Sequence, residues 1–252
     1  MRLFATLAAA SLCLSIAACD SSKTPSTPAG IAIVEDAKAP LGQLPASVTP
    51  AHYRLELTVV PDKERYSGIV EIDVNLSAPQ TVIYLHGREL TVKEPFARLG
   101  DKSTVKAQYA QVHDSGVARL TFERELPKGR LTLRLPFDAA FEPSPDALTS
   151  MTDSGNKYAW TQFESISARR AFPSFDEPRF KTPFDITVTS RQADTVVTNT
   201  MPVMEGAADG GLKKTVFATT QPLPTYLIAL AVGPYDVTTG PTIPPWKTRP
   251  DA

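Results

Sequence analysis

The chain has 252 residues, 42% hydrophobic and 21% charged, which is the composition of a folding chain and excludes a disordered or fibrous one. Its 26 basic and 27 acidic residues leave a formal charge of -1, so neither nucleic acid nor an anionic surface is an expected partner. Twenty-three prolines against thirteen glycines exclude a helical bundle, because each proline removes an N–H donor and disrupts a helix interior.

Met1-Arg2 gives a short positive start, and the apolar run from Leu3 to Ala18 is too short to span a bilayer comfortably. Residues 1–18 are therefore predicted to be an export signal. The run ends Ile16-Ala17-Ala18-Cys19, which resembles the bacterial lipoprotein signal, with Cys19 as the lipidated residue. An ordinary secretory signal cut nearby is the other reading. Of the two cysteines, Cys13 lies inside the signal, so the mature chain keeps Cys19 alone and forms no internal disulfide. A solitary thiol in an oxidising compartment is easier to understand when acyl chains occupy it. The expected location is the cell envelope, lipid-anchored to a bacterial membrane and facing the periplasm. Residues 19–40, rich in Ser, Thr and Pro, are predicted to be a disordered tether.

From Leu41 the pattern changes to a period of two. Tyr53, Leu55, Leu57 and Val59 alternate with Arg54, Glu56 and Thr58, and Val70, Ile72, Val74 and Leu76 alternate with Glu71, Asp73 and Asn75. Each segment presents one apolar and one polar row, the mark of a half-buried strand. The polar turn Pro61-Asp62-Lys63-Glu64 between them predicts a hairpin. Further strands are predicted over residues 81–85, 106–112, 117–122, 131–135, 184–189, 195–199, 214–219 and 226–232. Short, regular spacing predicts antiparallel sheets, and no amphipathic helix of three turns is present. Residues 41–240 form one all-β domain in this reading, with two lobes possible, and the Pro-rich residues 241–252 form an exit linker.

The familiar catalytic motifs are missing. His52, His86 and His113 do not have the i, i+4 spacing of a zinc-binding pair, and each reads better as a hydrogen-bonding fixture at an element boundary. There is no phosphate-binding glycine loop, nucleophile elbow or C-x-x-C. No catalytic residue and no metal ligand is assigned.

The segment Tyr158 to Lys181 mixes aromatics with close-set opposite charges. Thr161-Gln162-Phe163-Glu164, then Ala168-Arg169-Arg170-Ala171-Phe172-Pro173-Ser174-Phe175-Asp176-Glu177-Pro178, then Lys181-Thr182-Pro183-Phe184-Asp185 closely resembles the N-terminal domain of aminopeptidase N-type zinc metallopeptidases. The resemblance runs from about Leu44 to Val237. It implies an antiparallel, saddle-like β-sandwich in which Gln162 and Glu164 face the substrate cleft. A carboxylate there neutralises the α-ammonium of a peptide N-terminus and fixes the end of the substrate, while Gln162 lines the first side-chain pocket. The competing reading of the residues pairs Glu164 with Arg169 or Arg170. Residues 169–178 read as architecture: two arginines against Asp176 and Glu177, with Phe172 and Phe175 in the core. Many relatives carry Cys at the position of Ser174.

The family's zinc ligands, catalytic Glu, oxyanion Tyr and G-x-M-E-N strand belong to a following domain. Met204-Glu205 does not supply that motif, since Gly206 follows where Asn is required. The expectation is therefore a substrate-anchoring domain without cofactor of its own, inactive alone and completed by a catalytic domain in cis or trans that holds the zinc. Its membrane contact is through the lipid anchor. The alternative expectation is a non-catalytic lipid-anchored module that binds peptide N-termini or a partner protein.

Overall fold

The computed structural model describes residues 33–241 apart from Glu35 and Thr239. The export signal, Cys19 and most of the exit linker lie outside the described residues. Fifteen strands form: β1 (Val48–Thr58), β2 (Arg65–Leu76), β3 (Gln80–His86), β4 (Thr91–Val92), β5 (Phe96–Arg98), β6 (Thr104–Gln111), β7 (Val117–Leu126), β8 (Gly129–Ala140), β9 (Ala147–Asp153), β10 (Asn156–Gln162), β11 (Phe184–Arg191), β12 (Thr195–Thr198), β13 (Pro202–Ala208), β14 (Leu212–Phe217) and β15 (Leu230–Gly233). Helical structure among the described residues is confined to three single turns of the 3-10 type. None is long and apolar enough to cross a membrane.

The chain folds as an all-β sandwich. One sheet has the order β13-β14-β11-β1-β2-β8-β5-β6-β7-β3, with β4 also on β8, and the other has the order β12-β15-β10-β9. The predicted hairpin is present, with Tyr53 opposite Ile72 and Leu55 opposite Val70. Its inward row of Tyr53, Leu55, Val70, Ile72 and Val74 is buried, as is the matching row Leu131, Leu133, Leu135 on β8.

Not every pairing is antiparallel. β11 runs parallel to β1, with Tyr53 opposite Phe184 and Leu57 opposite Val188. The chain builds most of the domain between these two strands, a connection long enough for β11 to return to the end where β1 began. Tyr53 stacks on Phe184 at 4.5 Å between ring centroids.

The two sheets share one apolar core. Leu55, Leu57 and Ile186 from the large sheet meet Leu148 and Leu230 from the small one, with Phe163 and Phe172 from the segment after β10, around a void of about 10 Å³. That is room for at most one water, so the layers are close-packed.

On the outer face, Asp73 is nearly buried although the alternation points it to solvent. Arg54 (2.6 Å), Arg130 (2.8 Å) and the Thr132 hydroxyl (2.7 Å) cover it. Burial alone would raise its pKa, but these three donors outweigh burial and hold the carboxyl well below the usual range.

Three expectations are corrected. Ordered contacts start before Leu41: the Val34 N–H donates to the Gln111 carbonyl (2.9 Å), and Asp36 accepts from Arg119 (2.7 Å) and Tyr84 (2.8 Å). The tether therefore gives way to docked chain by Val34, because Asp36 has a cationic partner on β7. The predicted strand over residues 226–232 is half that length, since Thr225–Leu227 form a 3-10 turn after Pro224. Asn199 fixes the change of direction by donating to the Leu227 carbonyl (2.7 Å) and accepting from the Ala229 N–H (2.9 Å). Finally, β4, β5, β9, β10 and β13 lie outside the predicted strands; β13 is exposed along almost its whole length and pairs only with β14.

Candidate functional site

The site is built on the end of β10 and the turn that follows. Ala159 and Phe163 point into the core, and between them Tyr158, Trp160 and Gln162 occupy the opposite face. Register across the small sheet puts Tyr158 beside Met151, and Trp160 in one row with Ala231 and Val197. Met151 and Val197 are 45% and 52% exposed, so this outer face is open and largely apolar. Gln162 closes the row at the strand end and is exposed.

Glu164 follows one residue later and is also exposed. Its neighbours are anchored on both sides. Phe163 is buried and meets Phe172 edge-on at 6.0 Å. The Ser167 N–H donates to the Phe163 carbonyl (2.9 Å) and the Ala171 N–H to the Ala168 carbonyl (2.9 Å), closing a tight turn over Ala168–Arg170. The peptide bond between Glu164 and Ser165 is cis.

The turn is locked by a buried ion pair. Arg169 donates through Nε to Asp176 Oδ2 (2.9 Å), through Nη2 to the Asp176 carbonyl (2.8 Å) and through Nη1 to the Ser115 carbonyl (3.0 Å). The other oxygen of Asp176 accepts from the Thr225 hydroxyl. The Asp176 N–H donates to His86 Nδ1 (3.1 Å), so the neutral ring carries its proton on Nε2. Burial, reinforced by the Arg169 charge, pushes the His86 pKa down to about 3. His86 is thus a fixture at the end of β3, as its boundary position suggested.

Arg170 turns the other way, pairing with Glu142 (2.6 Å) and Asp146 (3.1 Å). The two arginines do not share Asp176 and Glu177 as the sequence suggested. Glu177 instead accepts from the Leu44 N–H and from Arg179, whose Nη2 donates to the Leu44 carbonyl (2.8 Å). This clasp fixes the entry to β1. The reading that pairs Glu164 with Arg169 or Arg170 is overturned: both guanidinium groups are committed elsewhere, and among the described residues Glu164 makes no ion pair or side-chain hydrogen bond. Glu205, on exposed β13, is likewise far from this turn in the topology and pairs with Lys213 (3.1 Å).

Ser174 is fully buried opposite His86, and its hydroxyl has no hydrogen-bond partner. An unsatisfied buried hydroxyl costs about 1–3 kcal/mol, so Ser174→Cys is expected to stabilise by about 1 kcal/mol. Calorimetry should show this as a rise in Tm of about 2–4 °C. A fall would mean that the hydroxyl is satisfied.

Among the described residues no three His, Cys, Asp or Glu side chains are grouped as metal ligands, and His86 Nδ1 is already occupied. These residues do not fit the zinc that the resemblance implies. What the site can do chemically is present a carboxylate and an amide on a rigid edge. Sequence reasoning missed Glu142, Asp146, Tyr235 and Asp236, which reach this region only through chain topology.

Comparison with known proteins agrees with this architecture. Residues 49–227 match the family described as Peptidase M1 N-terminal domain. Aminopeptidase M1-B of Oryza sativa subsp. japonica is 30% identical over 214 residues, covering 82% of this chain and 24% of that protein. Aminopeptidase N of Acetobacter pasteurianus is 31% identical over 198 residues, covering 76% of this chain and 54% of that protein. Glutamyl aminopeptidase of Mus musculus is 32% identical over 210 residues, 75% of this chain and 21% of that protein. The chain thus spans about a quarter of the plant relative's length and about half of the bacterial one's. Since the match takes in nearly all of β1, the ion-paired turn and every later strand up to β14, the chain belongs to the family of M1 peptidase N-terminal domains.

Proposed function

We propose that this domain holds the N-terminus of a peptide for a zinc metalloaminopeptidase that removes residues one at a time. Glu164 receives the α-ammonium, and Gln162 lines the pocket for the first side chain. The observation that carries this reading is the uncommitted carboxylate of Glu164, beside two arginines that are both paired with other acids. A carboxylate exposed on a rigid turn keeps its charge for an incoming cation and needs little reorganisation on binding.

The domain's own contribution is binding and orientation: it sets the distance from the anchored amine to the first amide bond. Bond cleavage falls to a zinc-bearing catalytic domain, in cis or trans, facing Gln162 and Glu164 across the groove. The exposed apolar side chain of Val197 on β12 supports such a neighbour. Placement at the cell envelope through a lipid on Cys19 belongs to the same proposal.

Isothermal calorimetry of the chain with tetra-alanine and with its N-acetylated form tests the anchor. Glu164→Gln is expected to weaken the free-amine peptide by about tenfold, the size of a charge-assisted hydrogen bond, and to leave the acetylated peptide unaffected. Equal binding of both peptides to the unsubstituted chain would overturn the reading.

A further inference from the structure

The outer face of β10 continues away from Gln162 into an open cleft of about 500 Å³. Tyr158 and Trp160 form one side of it. Tyr235, in the segment after β15, forms another, its ring 4.9 Å from that of Tyr158 and tilted by 56°. Asp153, at the end of β9, and Asp236 stand at its rim with Met151. The position of the Tyr158 ring is fixed by Gly233, where an added Cβ would meet Tyr158 Cδ1 at 2.6 Å. Among the described residues no lysine or arginine lines this cleft. Both aspartates are exposed, and among the described residues neither forms an ion pair or a side-chain hydrogen bond.

Aromatic faces carry negative potential and attract organic cations, most strongly where water is partly displaced. Two unpaired carboxylates at the rim add formal charge of the same sign and oppose entry of an acidic group. We infer that this cleft binds the basic side chain of a peptide, arginine or lysine, and is a cation subsite remote from the anchored amine. The inference rests on the reading of Glu164 and Gln162 given above, and it deepens that reading by naming a substrate class.

Geometry sets the position in the peptide. Trp160 and Tyr158 precede Gln162 by two and four residues on one strand face, about 7 and 13 Å at the usual rise of a strand. A peptide extended along β10, with its first side chain at Gln162, advances by about 3.3 Å per residue and brings its third to fifth side chains over the cleft. Substrates with a basic residue there are held at both ends of the β10 face.

The test uses the chain with Trp246→Phe, so that fluorescence reports on Trp160, the other tryptophan of the sequence. Hexa-alanine peptides carrying one arginine at position 3, 4 or 5 are titrated beside the matched glutamine peptides. At one of these positions arginine is expected to bind about tenfold more tightly, a gap within reach of one cation–π contact plus rim charge. The gap should narrow to about threefold in the Asp153→Asn/Asp236→Asn variant, the remainder being the cation–π contact, and persist in Glu164→Gln. Equal affinities at all three positions, or a gap unchanged by loss of both aspartates, would overturn the subsite. N-acetylation separates the two proposals. If it weakens binding while arginine and glutamine peptides bind alike, the cleft inference fails alone; if it has no effect while the arginine gap stands, the amine anchor fails alone.

Discussion

Arg169→Met is expected to destabilise the domain by about 3–5 kcal/mol, the range seen when one partner of a buried ion pair is removed. The remaining carboxylate of Asp176 is 2% exposed, and its two oxygens would be left with the Thr225 hydroxyl and a long contact from the Arg169 N–H (3.3 Å). The Ser115 and Asp176 carbonyls lose their donors in the same step. Urea denaturation at neutral pH measures the loss. Adding Asp176→Leu should recover a substantial part of it, because the stranded charge accounts for more of the penalty than the missing attraction. A loss under about 1 kcal/mol in the single variant would mean that water reaches Asp176.

The second large effect is with pH. His86 in the folded chain has a pKa near 3, while the unfolded residue takes up its proton near 6.5. Below 6.5 the unfolded state binds more protons, so stability falls as pH falls. The slope approaches about 1.4 kcal/mol per unit, and the loss accumulates to about 3 kcal/mol two units below the unfolded value. It continues until the folded ring itself titrates. Asp73 and Glu71, whose carboxyls are held down by arginines, add their own loss at more acidic pH, below their unfolded values. Glu142, raised by burial against the opposing charge of Arg170, acts in the contrary direction. Denaturant titrations at pH 7, 5.5 and 4.5 check the window, and His86→Asn, which keeps an acceptor for the Asp176 N–H, should flatten it. A slope unchanged by that substitution would assign the acid sensitivity to other groups.

Much of the large sheet was legible in the sequence because its strands separate the faces cleanly. In Tyr53 to Leu57 of β1, Val70 to Leu76 of β2 and Leu131 to Ala139 of β8 every second residue is apolar and buried, and the register follows. The small sheet was harder to see. Trp160 and Tyr158 place large apolar groups on its outer face, so the two rows of β10 do not contrast in polarity. β13 has no buried row to betray it.

The site divides the same way. The placement of Gln162 and Glu164 beside a charged turn came from the run Thr161 to Pro178. The partners of its arginines did not: Asp176 and Glu177 are closer in sequence to Arg170 than Glu142 is, yet Glu142 takes the bidentate contact. Charge alone cannot choose among acids when the backbone path is unknown. His86 shows the converse, since a lone histidine at a strand end already suggested a hydrogen-bonding fixture.

The parallel match of β1 with β11 also governs how the molecule is made. As the polypeptide leaves the ribosome, β1 gains its hairpin mate promptly, but its second flank stays bare until Phe184 to Arg191 have been synthesised. Contacts between segments so distant in sequence form late, and a naked strand flank invites association with a neighbouring nascent copy. Truncations ending before residue 184 should therefore accumulate as insoluble material, whereas those ending after β15, which completes the small sheet, should not.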